Sequence, residues 1–217
     1  MRTRRLLAKL SLRRLLPRLG KKGRRRLFVA KVVLAVTAPL WLINSAVAFF
    51  GHTVVFPLSP FFLREKMRAL VTYAAHRPFC LGREHPEIGP LIESAELRHR
   101  LPRGLLAAVV EVESGGQPHR ISSAGAMGPT QLMPDTARRL GVTDPFDSLT
   151  AIDGAARLLA QHLVRFHRLR LVIAAYHAGP AAVVGGVPNN GQTPGYVARV
   201  MRAYLARRPG VLARSGS

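Results

Sequence analysis

Apolar positions follow three patterns along the chain. From Phe28 to Phe50 they are nearly continuous, interrupted by Lys31, Thr37, Asn44 and Ser45. Such a run is long enough for a helix across the roughly 30 Å hydrocarbon core of a bilayer. Next, Leu63, Met67, Leu70, Val71 and Ala74 recur at helical spacing behind Ser59-Pro60, a cap followed by a first-turn proline. From Leu91 onward the pattern is helical throughout. Leu91, Ile92, Ala95 and Leu97 mark a short helix ending before Pro102, and Leu105 to Ser114 is apolar almost all round, as a central buried helix would be. Gly115-Gly116 ends that helix, and a further helix from Pro134 to Leu140 stops at Gly141. Ala155, Leu158, Leu159, His162, Leu163 and Phe166 define one face of a longer helix, followed by helices at Leu171–Ala178 and Tyr196–Leu205. No run alternates with the period of a strand, so the fold class is mainly α.

These patterns divide the 217 residues into a leader (1–27), an apolar segment (28–50), a helical linker region (51–89), a domain (90–207) and a flexible tail (208–217). Within the linker, His76 to Pro90 is rich in proline, glycine and charge and reads as a loop. Charge sharpens the division. The formal net charge is +22, yet no acidic residue precedes Glu65, and Arg2, Arg4, Arg5, Lys9, Arg13, Arg14, Arg18, Lys21, Lys22 and Arg24 to Arg26 crowd the leader. A basic flank resists translocation, so the leader is expected in the cytoplasm and the domain outside the inner membrane, in the periplasm. A core helix would not carry such a flank. A cleaved signal is the alternative: Arg25-Arg26-Leu27-Phe28 resembles a twin-arginine signal and Ala46-Val47-Ala48 a cleavage site, placing the cut near Ala48. Apolar character continues to Phe56, which favours an uncleaved anchor. The same topology accounts for the basic run without nucleic acid, which is not expected as a partner. The lone Cys80 excludes an internal disulfide.

The domain lacks HExxH, CxxC, P-loop and GxSxG strings, and His76, His85, His99, His119, His162, His167 and His177 do not have zinc-site spacing. No metal or cofactor is expected. What remains is a carboxylate. Glu111 and Glu113 lie near the end of the apolar helix on different faces. For Glu113, the negative end of the helix dipole and the neighbours Val109, Val110 and Val112 both disfavour ionisation. A glutamate so placed keeps a proton near neutral pH and delivers it to a leaving oxygen, as a glycosidic general acid must.

Leu106 to Gly116, ending in Glu113-Ser114, resembles the segment of soluble lytic transglycosylases that closes on a catalytic Glu-Ser pair. Gly125-Ala126-Met127-Gly128-Pro129-Thr130-Gln131-Leu132-Met133-Pro134-Asp135-Thr136-Ala137 resembles the family's glycine-led Met-Gln-x-Met-Pro-x-Thr-Ala motif. Asp144 to Asp147 with Ile152-Asp153-Gly154, then Ala175-Tyr176-His177-Ala178-Gly179-Pro180, then Thr193-Pro194-Gly195-Tyr196-Val197, are similar to its remaining blocks, in order. The resemblance implies a lysozyme-like transglycosylase domain behind an N-terminal transmembrane or signal helix. The implied reaction cuts the β-1,4 bond between N-acetylmuramic acid and N-acetylglucosamine in peptidoglycan glycan strands. It further implies Glu113 as acid/base, Ser114 orienting it or a sugar substituent, Met127, Gln131 and Met133 in the groove, Tyr176 and His177 beside them, and Tyr196 reaching in from the last helix. Departures from the pattern are Thr130 for methionine, Ala151 and His177 for asparagine, and Gln192 for glutamate.

Asp135 at a helix start and Asp144 and Asp147 around Pro145 have structural uses. One carboxylate then serves where a conventional glycosidase uses two, which favours attack by the sugar's own C6 hydroxyl and 1,6-anhydromuramic acid ends. A goose-type-lysozyme-like hydrolase and a non-catalytic peptidoglycan-binding scaffold are the alternatives. Partners expected beyond the glycan are the inner membrane and an envelope-spanning machinery.

Overall fold

In a computed structural model, residues 21–51, 63–80 and 87–208 are described. They form helices α1 (Lys21–Gly51), α2 (Leu63–Cys80), α3 (Ile88–Arg98), α4 (Leu105–Ser114), α5 (Pro134–Arg139), α6 (Ser148–Phe166), α7 (Leu169–Ala178) and α8 (Thr193–Ala206). Among the described residues the only β pairing is a pair of isolated antiparallel bridges, Ile121 with Met127 and Met127 with Leu132. The mainly α expectation agrees with this architecture.

The apolar segment lies within α1, which starts at Lys21 rather than Phe28 because lysine and arginine continue a helix readily. Its stretch Lys22–Ile43 is long and apolar enough to cross a membrane. Phe28, Val33, Leu34, Trp41 and Leu42 are exposed, so this is not a core helix.

In the domain, α4 is the centre. Leu105, Leu106, Ala108, Val109 and Val110 are buried, and Ile92 and Ala95 of α3, Ile152, Ala155 and Leu159 of α6, Val172 to Ala175 of α7 and Val197 and Val200 of α8 enclose them. Each fully buried leucine or valine contributes about 1.5–3 kcal/mol relative to exposure. The N-terminus of α4 lacks a cap of its own, since its N-cap, Gly104, has no side chain to accept from the first-turn amides. Glu96, buried on α3, takes that role. Its carboxylate accepts from the backbone amides of Gly104 at 2.7 Å, Leu106 at 2.8 Å and Ala107 at 3.2 Å.

The stripe Leu63, Met67, Leu70, Val71 and Ala74, expected to pack on the domain or lie at the membrane surface, is divided: Leu70 packs against the small core of Ala69, Ile121, Met127 and Phe146, while Met67 and Val71 are exposed. The buried side chains are Lys66, Ala69 and His76. His76 also lies inside the helix rather than in a loop. Its Nδ1 bonds the Asp144 carboxylate and its Nε2 is 3.1 Å from Nε2 of His119, with Phe146 packed against both rings. Partners in the domain thus select the face and carry the helix past the point where composition suggests a break. Ser59-Pro60 lies outside the described residues.

Closeness of backbone explains two glycines in the central motif. A Cβ on Gly125 would fall 2.7 Å from the backbone carbon of Glu65 in α2, and one on Gly128 would fall 1.8 Å from the carbonyl oxygen of Pro145. Both have left-handed φ, +92° and +75°. Gly128→Ala is expected to destabilise the protein by about 3 kcal/mol or more, combining strain with steric overlap. Gly89→Ala, at an open helical position with nothing within 4 Å, should be neutral or stabilising by up to about 1 kcal/mol. Chemical denaturation of both variants checks the contrast.

Candidate active site

The last turn of α4 presents two glutamates in different directions. Glu111 faces outward and pairs with Arg207. Glu113 lines a cleft of about 280 Å³ together with Gln131, Met133, Leu158, Tyr176 and His177. No other acid lines this cleft. A larger cavity of about 540 Å³, between α2 and α5, has no carboxylate in its lining and so no proton donor of this kind.

Glu113 is set apart by its surroundings. Burial raises its pKa from the usual 4.5 to about 7, against the opposing influence of a Tyr196 hydrogen bond and the charges of Arg120 and Arg199. The Tyr196 hydroxyl donates to Oε1 at 2.6 Å, leaving Oε2 to carry a transferable proton. Burial, then the neighbouring Glu113, hold the Tyr196 phenol well above its ordinary range, so it stays a donor. Tyr176 is raised by the same causes and donates to the carbonyl of Thr130 at 2.8 Å.

The loop between α4 and α5 supplies the opposite wall. Gln131 has a left-handed φ of +49°. Its amide holds that conformation by donating to the carbonyls of Arg120 at 3.1 Å and Gly128 at 2.8 Å. Gln131, Met133, Tyr176 and His177 therefore lie where the motif reading puts them, on the cleft. Two residues named with them do not reach it. Ser114 is buried and ties α4 to the loop, donating to the carbonyl of Pro129 at 2.6 Å and accepting from the amide of Gly116 at 3.0 Å. Met127 is in the small core formed with Ala69, Ile121 and Phe146. Tyr196 is buried beneath the cleft and acts on Glu113 from behind.

Thr130, which replaces the methionine of the resembled motif, is fully buried, and its hydroxyl donates to the carbonyl of Ala151 at 3.4 Å. The aspartates have structural partners. Asp135 pairs with Arg68 and Arg138, Asp144 with His76, and Asp147 accepts from the amide of Thr150 as the N-cap of α6. Sequence reading missed Arg120 and Arg199, which act on Glu113. Arg199 was within reach, since it stands three residues after Tyr196 and shares its helix face.

Comparison with known proteins matches residues 90–196 to the family described as "Transglycosylase SLT domain". This segment belongs to the transglycosylase SLT domain family. The SLT domain carries the lysozyme-like fold, here with Glu113 at the end of its central helix. Among similar proteins, the "Transglycosylase" of Enterobacteria phage PRD1 is 39% identical over 111 residues, 51% of this chain and 40% of that protein. "Membrane-bound lytic murein transglycosylase F" of Desulfosudis oleivorans is 37% identical over 101 residues, 43% of this chain and 22% of that protein. Its namesake from Klebsiella pneumoniae is 33% identical over 103 residues, 44% and 20% respectively. The chain thus spans less than half the length of these relatives, and the likeness covers the SLT domain.

The cleft geometry has a measurable effect on folding. With a folded pKa of about 7 against the usual 4.5, Glu113 leaves stability intact below pH 4.5 and reduces it as pH rises through 7, by about 3 kcal/mol at the limit. Glu113→Gln removes that titration and can still accept from Tyr196. It is expected to be more stable than the parent at pH 8 by about that amount, and nearly equal to it at pH 4. Unfolding curves at the two pH values check this.

Proposed function

We propose that this protein is a peptidoglycan lytic transglycosylase. It would cleave the β-1,4 bond between N-acetylmuramic acid and N-acetylglucosamine and leave 1,6-anhydromuramic acid ends. The observation that carries the reading is a single cleft carboxylate, Glu113, held protonated near neutral pH by burial and oriented by Tyr196.

The chemistry follows from that one group. Protonated Glu113 delivers its proton to the glycosidic oxygen as the bond to C1 of the muramic acid breaks. The N-acetyl group stabilises the positive charge left on that carbon, as in substrate-assisted glycosidases. Glu113, now a carboxylate, takes the proton from the C6 hydroxyl while that oxygen closes onto C1. Tethering gives the C6 oxygen an effective concentration far above that of a loosely held water. Gln131, Met133, Tyr176 and His177 would line the glycan path. The names of the similar proteins, "Transglycosylase" and "Membrane-bound lytic murein transglycosylase F", support this choice of substrate.

Digestion of purified sacculi in heavy-oxygen water tests the reaction. Unlabelled anhydro ends are the expected main product, and Glu113→Gln is expected to lower turnover by at least about a thousandfold while the fold is retained. Labelled reducing ends would instead identify a lysozyme-like hydrolase, and equal activity of the two proteins would remove Glu113 from the mechanism.

The same reading places the basic leader in the cytoplasm, α1 across the inner membrane and the SLT domain in the periplasm, within reach of an envelope-spanning assembly. Support comes from the apolar stretch of α1 and its basic flank. A reporter fused after Leu81 is expected to be active only as a periplasmic reporter, with the full-length chain in the membrane fraction. A mature N-terminus at Phe49 would show export with cleavage instead.

A further inference from the structure

The cleft holds a second titratable side chain whose state bears on the first. His177, in the last turn of α7, is exposed at the cleft and its ring stacks on that of Tyr196, with centroids 4.3 Å apart and planes 16° from parallel. Tyr196 is the residue whose hydroxyl holds Glu113. The charged and titratable groups around this stack are Tyr196 and Arg199 of α8 and Glu113 of α4, with Tyr176 beside His177 on α7 and Arg120 acting on Glu113 from the loop. The remaining cleft wall from the loop and α5, including Ser122, Gln131, Met133 and Thr136, carries no charge.

We propose that His177 is a positioning residue that sets the acid limit of the reaction: uncharged, it backs Tyr196 and leaves the cleft proton on Glu113; charged, it opposes the positive charge developing on the sugar. This rests on the glycan-cleaving reading above. The order of protonation makes the device work. Partial desolvation against the cleft wall and the charge of Arg199 lower His177 from its usual 6.5, while burial raises Glu113 to about 7. As pH falls, the first proton therefore goes to Glu113, producing the form that can act as an acid. A second proton goes to His177 and puts a cation in the wall of a cleft whose transition state is itself cationic. Activity is confined between the two midpoints, lost above about 7 as Glu113 ionises and lost below the His177 midpoint. An asparagine here, as in the resembled motif, would have no acid limit of this origin.

The test is the pH dependence of kcat/KM for release of soluble fragments from purified sacculi, using the full chain in detergent. Wild type should give a bell. His177→Asn and His177→Phe, the second keeping a flat ring on Tyr196 without charge, should both retain the alkaline limb and lose the acid one. The ratio of rates at pH 5 and pH 6.5 should then rise several-fold relative to wild type. An acid limb unchanged in both variants, or absent from wild type, overturns the proposal. A merely structural role for the ring would change the rate at all pH values together and also overturns it. A wild type inactive at every pH defeats the glycan-cleaving reading instead. In that event the histidine NMR titration, assigned by the resonance missing from His177→Asn, still tests the order of protonation. A His177 midpoint below 6.5 supports it, and one at or above 6.5 overturns it.

Discussion

A helix whose N-terminus is buried must still satisfy its terminal amides, and the way α4 does so organises the domain. Gly104 cannot cap, so the first-turn donors would be orphaned inside the core, at a cost of about 1–3 kcal/mol each. Glu96 reaches them from α3. This one carboxylate fixes α4 relative to α3 and so sets where the far end of α4 points. At that far end Gly115 turns left-handed and Ser114 bonds to Pro129, so the last turn is held as firmly as the first. Glu113 projects into the cleft from a helix with little freedom to move.

Glu96 and Glu113, one buried and one half-buried in the cleft, illustrate how surroundings separate two residues of one type. Glu96 is enclosed by backbone N–H groups, which suit a negative acceptor at a helix N-terminus. Glu113 sits at the opposite pole of the same helix among apolar side chains, with one phenol as its direct partner. Opposite ends of α4 thereby hold their carboxylates in opposite ways, one tied to backbone amides and the other with its pKa raised by burial.

The helices were legible because each has an apolar stripe or a strong stop signal: Gly115 after α4, Gly141 after α5, proline at the start of α5 and α8. The face of α2 was not, since Lys66 and His76 are polar and yet buried, and only a partner such as Asp144 makes that burial tolerable. Motif adjacency also fails to separate residues that line a loop's outer wall from those that build it. Gln131 and Met133 reach the cleft, whereas Met127 and Ser114 hold the loop in place. Two departures from the resembled pattern, Thr130 and Ala151, turn out to touch each other through a hydroxyl and a carbonyl. Glu96 left no signal at all, because a cap supplied from another helix has no fixed spacing.

The contact between Gly125 and the backbone of Glu65 has a mechanical meaning. Gly125 sits between Ala124 and Ala126, both on the cleft wall, and its other side presses on α2 with no side chain between. A displacement of α2 at Glu65 would therefore act on that wall through a single layer of peptide. Backbone against backbone is a stiff coupling, with no rotamers to absorb displacement.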